Sequence, residues 1–230
     1  MANQMNLILN NYSDSEAWIK AVTQSINFKI ESLIAKFDEV NILLSGGSTP
    51  GPVYKKLDSE IFSFKKLNIG LVDERFVPTD DDNSNEKLIK KCFDSRPSDV
   101  YNIIGMVKDD KNEANNLAEV REAYSPFIER TDIVVLGMGG DGHTASIFPY
   151  DSESDIAKKN GISGVFSTKA PAAPINRITT SMDLICNARH IYLLISGAEK
   201  LEILNSNHLQ YPIHNVLERR PDVEIYYLEK

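Results

Sequence analysis

Short apolar runs alternate with longer amphipathic stretches along this chain, and each run has the length of a β-strand. The run at residues 133–136, IVVL, is unbroken and rich in β-branched residues, which suits a strand that is buried on both faces. Comparable runs predict further strands on either side of it. The predicted strands cover residues 6–9, 41–44, 68–72, 133–136, 190–195 and 223–228.

The amphipathic stretches between these runs have helical periodicity. The first predicted helix carries apolar side chains at helical spacing from Ile19 to Phe37, and Ser13 with Glu16 matches a capping box at its start. Further helices are predicted after residue 50, around residues 88–93, within residues 110–129, at residues 183–188 and from residue 198.

Strands that alternate with helical patterns are typical of a parallel sheet covered by helices. The predicted fold class is therefore α/β, as a three-layer α/β/α sandwich with a mostly parallel central sheet of the Rossmann-like type. The chain of 230 residues has no internal repeat, no low-complexity tract and no clear linker, so a single domain over residues 1–230 is expected.

Glycines crowd the turn after residues 133–136, at Gly137, Gly139, Gly140 and Gly142. Residues without a Cβ let the backbone approach a ligand closely. Asp141 and His143 stand in the same turn, and an imidazole exchanges protons near neutral pH. Because ligands of open α/β sheets bind beyond the carboxyl ends of the strands, this carboxylate–imidazole pair is expected to belong to a functional site.

Some of these glycines also match a dinucleotide-binding fingerprint, G-x-G-x-x-G, through Gly137, Gly139 and Gly142. That fingerprint requires a helix, a second strand and an acidic residue about 20 positions further on. Residues 155–161 are instead polar and interrupted by glycine, and no strand leads into them. The sequence therefore disfavours dinucleotide binding, in which His143 would have no role.

A second glycine-rich turn follows residues 41–44 and reads SGGSTP. Pro50 suits the first position of a helix, which Ser48 or Thr49 can cap. A strand, a glycine-rich turn and a helix N-terminus together bind phosphate through backbone N–H groups and the helix dipole. The spacing excludes a Walker A loop, and a tight turn before a capped helix is the alternative interpretation.

Charged residues follow other predicted strands or stand on the loops near them. The candidates are Asp73, Glu74, Arg75, Arg177 and Lys200. Arg177 is expected on a loop that neighbouring prolines stiffen. Since the carboxyl ends of parallel strands meet at one edge of a sheet, these residues are expected to converge with the carboxylate–imidazole pair.

An acid-rich segment, residues 79–85, offers oxygen atoms that a hard cation could use. It lacks the ligand pattern of a calcium loop and leads into a predicted helix, so helix capping is the preferred interpretation. Cys92 and Cys186 have no paired spacing, which argues against a zinc site and a disulfide framework. No metal site is predicted.

Composition restricts the expected partners. The chain has 25 basic and 33 acidic residues, and a formal net charge of −8 argues against nucleic acid or an anionic membrane as a partner. No apolar run approaches the ~20 residues that span a bilayer, and the N-terminal residues lack the features of a signal peptide. A cytoplasmic location is expected, and an anionic ligand would need a local cluster of cations.

Several segments together resemble the 6-phosphogluconolactonases, within the superfamily that includes glucosamine-6-phosphate isomerase/deaminase. The segments are LSGGSTP (44–50), VDERFVP (72–78) with Ser84 and Asn85, LGMGGDGHTASIFP (136–149), RIT (177–179) and SGAEK (196–200). They occur in the order typical of the family. No single segment is specific, but their combination is.

Two positions favour the lactonase branch of that superfamily over the deaminases. Deaminases resemble this chain up to DGH and then carry a glutamate that assists the ring-opening histidine, where this chain has Phe148. The third residue of DER is usually tyrosine in the isomerases, and here it is Arg75. One mild departure from the lactonases is a less proline-rich stretch at residues 171–174.

The resemblance implies hydrolysis of 6-phospho-D-glucono-1,5-lactone to 6-phospho-D-gluconate in the oxidative pentose phosphate pathway, without a metal or an organic cofactor. The implied catalytic residues are His143 as general base, Asp141 as its orienting carboxylate and Arg75 as the partner of the oxyanion. Backbone N–H groups of residues 139–142 are further candidates for that oxyanion. The implied substrate-binding and phosphate-binding residues are Gly46, Gly47, Ser48, Thr49, Asp73, Gly140, Gly142, Arg177 and Lys200.

Two alternatives remain open at this point. One is a sugar-phosphate isomerase/deaminase of the same fold. The other is a non-catalytic sugar-phosphate sensor on the same scaffold. The expected partner in each case is a small phosphorylated sugar, and the sequence predicts no oligomeric state.

Overall fold

Strands and helices alternate along the computed structural model, which describes residues 7–60, 66–95, 101–206 and 211–229. The strands are β1 (Ile8–Tyr12), β2 (Glu39–Leu44), β3 (Lys66–Leu71), β4 (Asp73–Arg75), β5 (Tyr101–Ile104), β6 (Ile133–Leu136), β7 (Val165–Lys169), β8 (Asn176–Thr180), β9 (His190–Ser196) and β10 (Glu224–Leu228). The helices are α1 (Ser15–Ile34), α2 (Gly51–Glu60), α3 (Asn85–Cys92), α4 (Glu113–Ala123), α5 (Ser125–Glu129), α6 (Ser154–Ala157), α7 (Met182–Cys186), α8 (Ala198–Asn205) and α9 (Pro212–Arg219).

A seven-stranded sheet, in the order β1-β10-β9-β6-β2-β3-β5, forms the centre of the described chain. Every neighbouring pair in it is parallel. β6 is buried along its whole length, as its unbroken apolar run predicts. Helices pack on this sheet, with α1 against β2 and β10 and α5 against β2. The predicted α/β fold with a mostly parallel central sheet is confirmed.

The order of the strands reverses between β2 and β6. From β2 the chain adds β3 and β5 on one side, whereas β6, β9 and β10 follow on the other side. Connections on the two sides then leave the sheet in opposite directions, which opens a crevice beyond the carboxyl ends of β2 and β6. The two glycine-rich turns follow these two strands.

A second sheet, of three antiparallel strands in the order β4-β8-β7, was not predicted from the sequence. In its register Asp73 pairs with Thr179, and Arg75 pairs with Arg177. The predicted loop position of Arg177 is therefore wrong, because the residue lies in β8. Pro174 ends the irregular stretch two residues before β8 begins, so the backbone of Arg177 can join the ladder.

Several element boundaries also differ from the prediction. Asp14, and not Ser13, caps α1, because its carboxylate accepts the N–H of Ala17 at 2.7 Å. β1 lies further along the chain than predicted, and residue 6 is outside the described residues.

The predicted helix within residues 110–129 is two helices, since Pro126 has no N–H to continue α4. β5 and α9 were not predicted.

No helix in the described ranges is both long and apolar enough to cross a membrane. The longest, α1, is amphipathic and buries only one face, including Trp18, Val22 and Ile26.

Tyr124 fixes the end of β3 at the point where the chain turns towards the second sheet. Its ring is fully buried and its hydroxyl oxygen accepts the N–H of Leu71 at 2.8 Å. The same hydroxyl lies 3.2 Å from the carbonyl oxygens of Leu71 and Ile104, either of which it can donate to. The pairing of β3 with β5 ends at Gly70. At the next residue, Leu71, the hydroxyl of Tyr124 takes the place of a hydrogen-bond partner from a neighbouring strand.

The Tyr124→Phe variant should be less stable than the wild type by about 1–3 kcal/mol, because it leaves the buried N–H of Leu71 without an acceptor. Denaturant-induced unfolding measures the difference. Tyr150→Phe is the matched control, since Tyr150 is 84% exposed and its hydroxyl should change the stability by less than about 0.5 kcal/mol. Equal stability of the two variants would contradict the role of Tyr124.

Candidate active site

A cavity of about 230 Å³ lies in the crevice between β2 and β6. Its walls come from the segments that follow β2, β3, β6 and β9, together with the start of α3 and of α8. The lining residues are Ser45, Gly46, Gly47, Ser48, Thr49, Pro50, Asp73, Arg75, Asn85, Gly137, Met138, Gly139, His143, Ala145, Leu194 and Lys200. Segments that are far apart in the sequence therefore meet at one edge of the sheet.

Most of the predicted site residues line this cavity. Those that do are Gly46, Gly47, Ser48, Thr49, Asp73, Arg75, His143 and Lys200. The others lie outside the lining: Asp141 contacts His143, Arg177 is the cross-strand partner of Arg75, and Gly140 and Gly142 belong to the turn before His143. A substrate role for these last two glycines stays a prediction.

His143 is held by the carboxylate two residues before it. Its Nδ1 lies 2.5 Å from Oδ1 of Asp141, and the same oxygen accepts the backbone N–H of His143 at 3.2 Å. An ionised carboxylate can only accept, so Nδ1 carries the proton, and in the neutral imidazole the lone pair is then on Nε2. Nε2 has no hydrogen-bond partner among the described residues. About a third of the side chain is exposed, which leaves the imidazole accessible from the cavity.

Gly139 and Phe148 both lie against the imidazole. A Cβ on Gly139 would lie 2.2 Å from Nδ1 and Cε1 of His143, so only glycine allows the ring to lie against this turn. The ring of Phe148 packs against the imidazole with 4.7 Å between the ring centroids, and Phe148 is buried. His143 therefore has an apolar neighbour at the position where a deaminase would carry a glutamate.

The turn uses most of its own N–H groups. The N–H of Gly139 donates to the carbonyl of His143 at 2.9 Å, and the N–H of Gly142 donates to the carbonyl of Gly139 at 3.1 Å. The N–H of His143 is likewise bound, to Asp141. These three N–H groups are used within the turn, and a role for N–H groups of residues 139–142 at the oxyanion stays a prediction.

Gly142 has a different reason to be glycine. Its φ of +75° lies in the left-handed region, and a Cβ there would lie 2.6 Å from the ring of Tyr211. The carbonyl of Gly142 also accepts the N–H of Ile213 at 3.1 Å. Gly142 thus joins the turn to the start of α9.

His143 also lowers the pKa of its neighbour Asp141. Partial burial raises the pKa of Asp141, but the hydrogen bonds and the charge of His143 outweigh it, and the pKa ends below the ordinary value of an aspartate. Asp141 is therefore ionised whenever the imidazole needs an acceptor for its Nδ1 proton.

The turn after β2 presents the start of α2 to the cavity. Gly47 has a φ of +104°, and the carbonyl of Pro50 accepts the N–H of Tyr54, so α2 begins at Gly51 and not at Pro50 as predicted. Thr49 turns its hydroxyl towards Ser196, 3.4 Å away at the end of β9. α2 has no acidic residue in its first turn, so its positive dipole end is not neutralised by its own side chains.

Ser45 was not predicted as a site residue. It lines the cavity, and its buried hydroxyl has no hydrogen-bond partner among the described residues. Buried polar atoms are rarely left in this state, which makes Ser45 a candidate to bind a ligand in the cavity. Its place in the SGGSTP segment was the signal that could have identified it.

Asp73 and Arg75 stand on the opposite wall, on β4. Asp73 is 8% exposed, and its Oδ2 accepts the hydroxyl of Ser146 at 2.5 Å. Nη1 of Arg75 donates to the carbonyl of Asn83 at 2.7 Å and to Oδ1 of Asn85 at 3.0 Å. The two side chains offer the cavity a carboxylate and a guanidinium in fixed positions.

Two arginines lie opposite each other near this wall, because Arg75 and Arg177 are paired across β4 and β8. Burial, followed by the charge of Arg75, lowers the pKa of Arg177. Like charges directly opposite each other in a sheet are unfavourable. An anionic ligand near them would relieve this repulsion, although the chain as a whole carries a net charge of −8.

The donor set of the cavity does not resemble a metal centre. Asp73 and His143 are the side chains in its lining that commonly bind metals. Across the described parts of the chain, no group of three or more His, Cys, Asp and Glu side chains is arranged to hold an ion.

The His143→Ala variant should raise the pKa of Asp141, because the hydrogen bonds and the charge that lower it are removed. Titration of the aspartate carboxyl carbons by ¹³C NMR measures the change. Asp222 is the internal control, since a hydrogen bond from Arg220 lowers its pKa independently of His143. An Asp141 titration that does not move would show that His143 has no such effect.

Comparison with known proteins identifies the family of this chain. A family model described as glucosamine-6-phosphate isomerases/6-phosphogluconolactonase matches residues 13–224. The 6-phosphogluconolactonase of Xylella fastidiosa is 31% identical over 227 residues, which cover 94% of this chain and 93% of that protein. The 6-phosphogluconolactonase of Thermotoga maritima is 30% identical over 223 residues, with 95% and 97% covered.

Solved structures give the same result. The crystal structure of a 6-phosphogluconolactonase from Shewanella baltica matches with a TM-score of 0.87 and 27% identity, and 99% of each chain is covered. A structure of the enzyme from Thermotoga maritima matches with a TM-score of 0.81. The resemblance found in the sequence motifs is confirmed, and this chain belongs to the glucosamine-6-phosphate isomerase/6-phosphogluconolactonase family.

Proposed function

We propose that this protein hydrolyses 6-phospho-D-glucono-1,5-lactone to 6-phospho-D-gluconate, as the names of its relatives describe for them. The observation that carries the proposal is the shared cavity of His143, the turn at residues 46–49 and Lys200. A general base and a phosphate-binding turn on one cavity suit a small substrate with a phosphate at one end and an electrophilic carbon at the other.

The phosphate binds at the turn after β2. Backbone N–H groups and the hydroxyls of Ser48 and Thr49 surround it at the N-terminus of α2, where the helix dipole favours negative charge. Lys200 adds a positive charge from α8 on the neighbouring wall. Arg177 supplies a further cation from the side of β8, next to Arg75.

The lactone carbon lies next to His143. Nε2 accepts a proton from water as the water oxygen bonds to C1, and the carbonyl oxygen becomes an oxyanion. Asp141 holds the imidazolium that forms, through the hydrogen bond to Nδ1. The tetrahedral intermediate then collapses, the bond from C1 to the ring oxygen breaks, and the imidazolium returns its proton to that oxygen. The product is an open-chain acid.

Arg75 stabilises the oxyanion. Its guanidinium is fixed by Asn83 and Asn85 before any ligand binds, so that little reorganisation accompanies the reaction. A lactone carbonyl is electrophilic enough for this chemistry, and the mechanism uses no metal and no organic cofactor. Asp73 accepts a hydrogen bond from a substrate hydroxyl on the same wall.

The related activity, isomerisation with deamination of glucosamine 6-phosphate, is less well supported. Phe148 packs on the imidazole of His143, and a hydrocarbon ring cannot assist proton transfer as a glutamate would. Release of ammonia from glucosamine 6-phosphate tests this alternative directly. We further propose a cytoplasmic location and no nucleic-acid or membrane partner, in keeping with the net charge of −8.

Turnover of the lactone tests the proposal. The lactone hydrolyses slowly without any protein, so glucose-6-phosphate dehydrogenase should generate it in situ and its disappearance should be compared with a protein-free blank. The proposal requires a rate well above the blank that is proportional to the protein concentration. A rate equal to the blank refutes it.

The His143→Ala variant should lower kcat by roughly 10²–10⁴-fold and change KM little, because only the transition state uses the base. His190→Ala is the matched control, as His190 begins β9 and does not line the cavity. Steady-state kinetics of both variants measure the effect. A His143→Ala enzyme with normal kcat would assign the base to another residue.

Lys200→Ala and Arg177→Ala should each raise KM about 10-fold or more and leave kcat nearly unchanged, since each removes a charged partner of the phosphate. Lys20→Ala, on the exposed face of α1, provides the control for loss of a positive charge. If both variants lowered kcat at constant KM, the phosphate would bind elsewhere.

A further inference from the structure

Asn85 joins the walls of the cavity through its side-chain amide. Its Nδ2 donates to the carbonyl oxygen of Asp73 at 2.9 Å, and its Oδ1 accepts from Nη1 of Arg75 at 3.0 Å. Asn85 is 2% exposed and lines the cavity. Because one side of the amide can only donate and the other can only accept, these two partners fix its orientation.

The amide is not needed to begin α3. The helix start is capped by Glu74, whose Oε1 accepts the backbone N–H of Asn85 at 2.8 Å and whose Oε2 accepts that of Glu86 at 2.7 Å. The hydroxyl of Ser84 accepts the next N–H, that of Lys87. These bonds use the backbone of Asn85 and would survive a change of its side chain.

The amide leaves one edge of Arg75 for a ligand. Nη1 is engaged by the carbonyl of Asn83 and by Asn85, whereas Nη2 makes no hydrogen bond with the described residues. Nε is buried and also has no partner among them. Since the guanidinium is planar and rigid, fixing Nη1 at two acceptors also fixes the direction of the Nη2 donors.

Gly46 makes room for this amide. A Cβ on Gly46 would lie 1.8 Å from Oδ1 of Asn85 and 2.3 Å from its Cγ. The backbone of Gly46 does not have the left-handed φ of its neighbour Gly47, so its conformation alone does not require glycine. Space for Asn85 is therefore the reason for glycine at position 46.

We propose that Asn85 is the positioning residue that directs the guanidinium of Arg75 at the oxyanion, and that Gly46 serves Asn85 and not the phosphate. This inference rests on the proposed function, because Arg75 acts on the oxyanion there. The inference gives the two glycines of the turn different roles. Gly47 shapes the backbone that binds the phosphate, whereas Gly46 leaves space for the side-chain amide of Asn85.

Kinetics of Asn85 and Arg75 variants test the first half of the inference. Asn85→Ala should lower kcat roughly 10- to 100-fold with KM within about threefold, as expected for a lost hydrogen bond to a charged group. In an Arg75→Ala background the same change should lower kcat by less than about threefold, because there is no guanidinium left to direct. The inference is overturned if the losses of kcat from the two single variants multiply in the double variant. It is also overturned if Asn85→Ala raises KM and leaves kcat unchanged.

A second set of single and double variants tests the role of Gly46. Gly46→Ala should lower kcat about as much as Asn85→Ala in the wild type, and have little further effect once Asn85 is alanine, because the clash is then absent. A rise of KM in both backgrounds would show that Gly46 serves the phosphate and would overturn this half. Gly51→Ala is the matched control, since a Cβ there meets nothing within 4 Å.

Two measurements keep these results interpretable. Thermal unfolding of each variant separates loss of fold from loss of alignment, and Asn115→Ala, on an exposed position of α4, shows the effect of removing an unrelated amide. ¹⁵N NMR of the Arg75 guanidinium needs no substrate and should show restricted rotation in the wild type and faster rotation in Asn85→Ala. Equal rotation in both overturns the inference, whereas absence of lactone turnover in the wild type refutes only the proposed function.

Discussion

The reversal of strand order between β2 and β6 is the constraint on which the site depends. Parallel strands end at the same edge, and only at a reversal do the adjoining connections separate and leave a crevice. The chain places its two glycine-rich turns after these two strands, so that the turn at residues 45–50 and the turn with His143 line the same cavity. The second sheet then adds β4, with Asp73 and Arg75, as a third wall.

Several glycines near the cavity owe their identity to a neighbouring side chain. Gly139 admits the imidazole of His143, Gly46 admits the amide of Asn85, and Gly142 lies against the ring of Tyr211. In each case a Cβ would overlap the neighbour, whatever ligand is bound. Glycine-rich turns are usually interpreted as places where a backbone approaches an anion. Here close packing of the protein's own side chains is an equally strong requirement, and it makes the site rigid before a substrate enters.

The sequence predicted the fold well where the signal was local. The buried apolar run of β6 and the long amphipathic pattern of α1 needed no information from distant residues. The antiparallel sheet was missed because β4 has only three residues and pairs with a strand about a hundred residues away. β5 was missed because Asn102 interrupts its four residues, so that they do not form an unbroken apolar run like that of β6.

The same distinction applies to the site. His143 and Asp141 could be predicted because they are close in the sequence and their chemistry is specific. The contact between Asn85 and Gly46 could not, because it joins the start of α3 to a turn about 40 residues earlier, and only the fold decides their distance. The hydrogen bonds that N–H groups make within the turn after β6 could not be predicted either. A turn that binds an anion and a turn that closes on itself have the same glycine-rich composition.

A crystal structure with 6-phosphogluconate bound tests the central claim most directly, because the product carries both the phosphate and the carbon that has reacted. We expect the phosphate at residues 47–49 within hydrogen-bond distance of Lys200, and the carboxylate about 3–3.5 Å from Nε2 of His143. A phosphate bound outside that turn, or a carboxylate that does not reach His143, would contradict it.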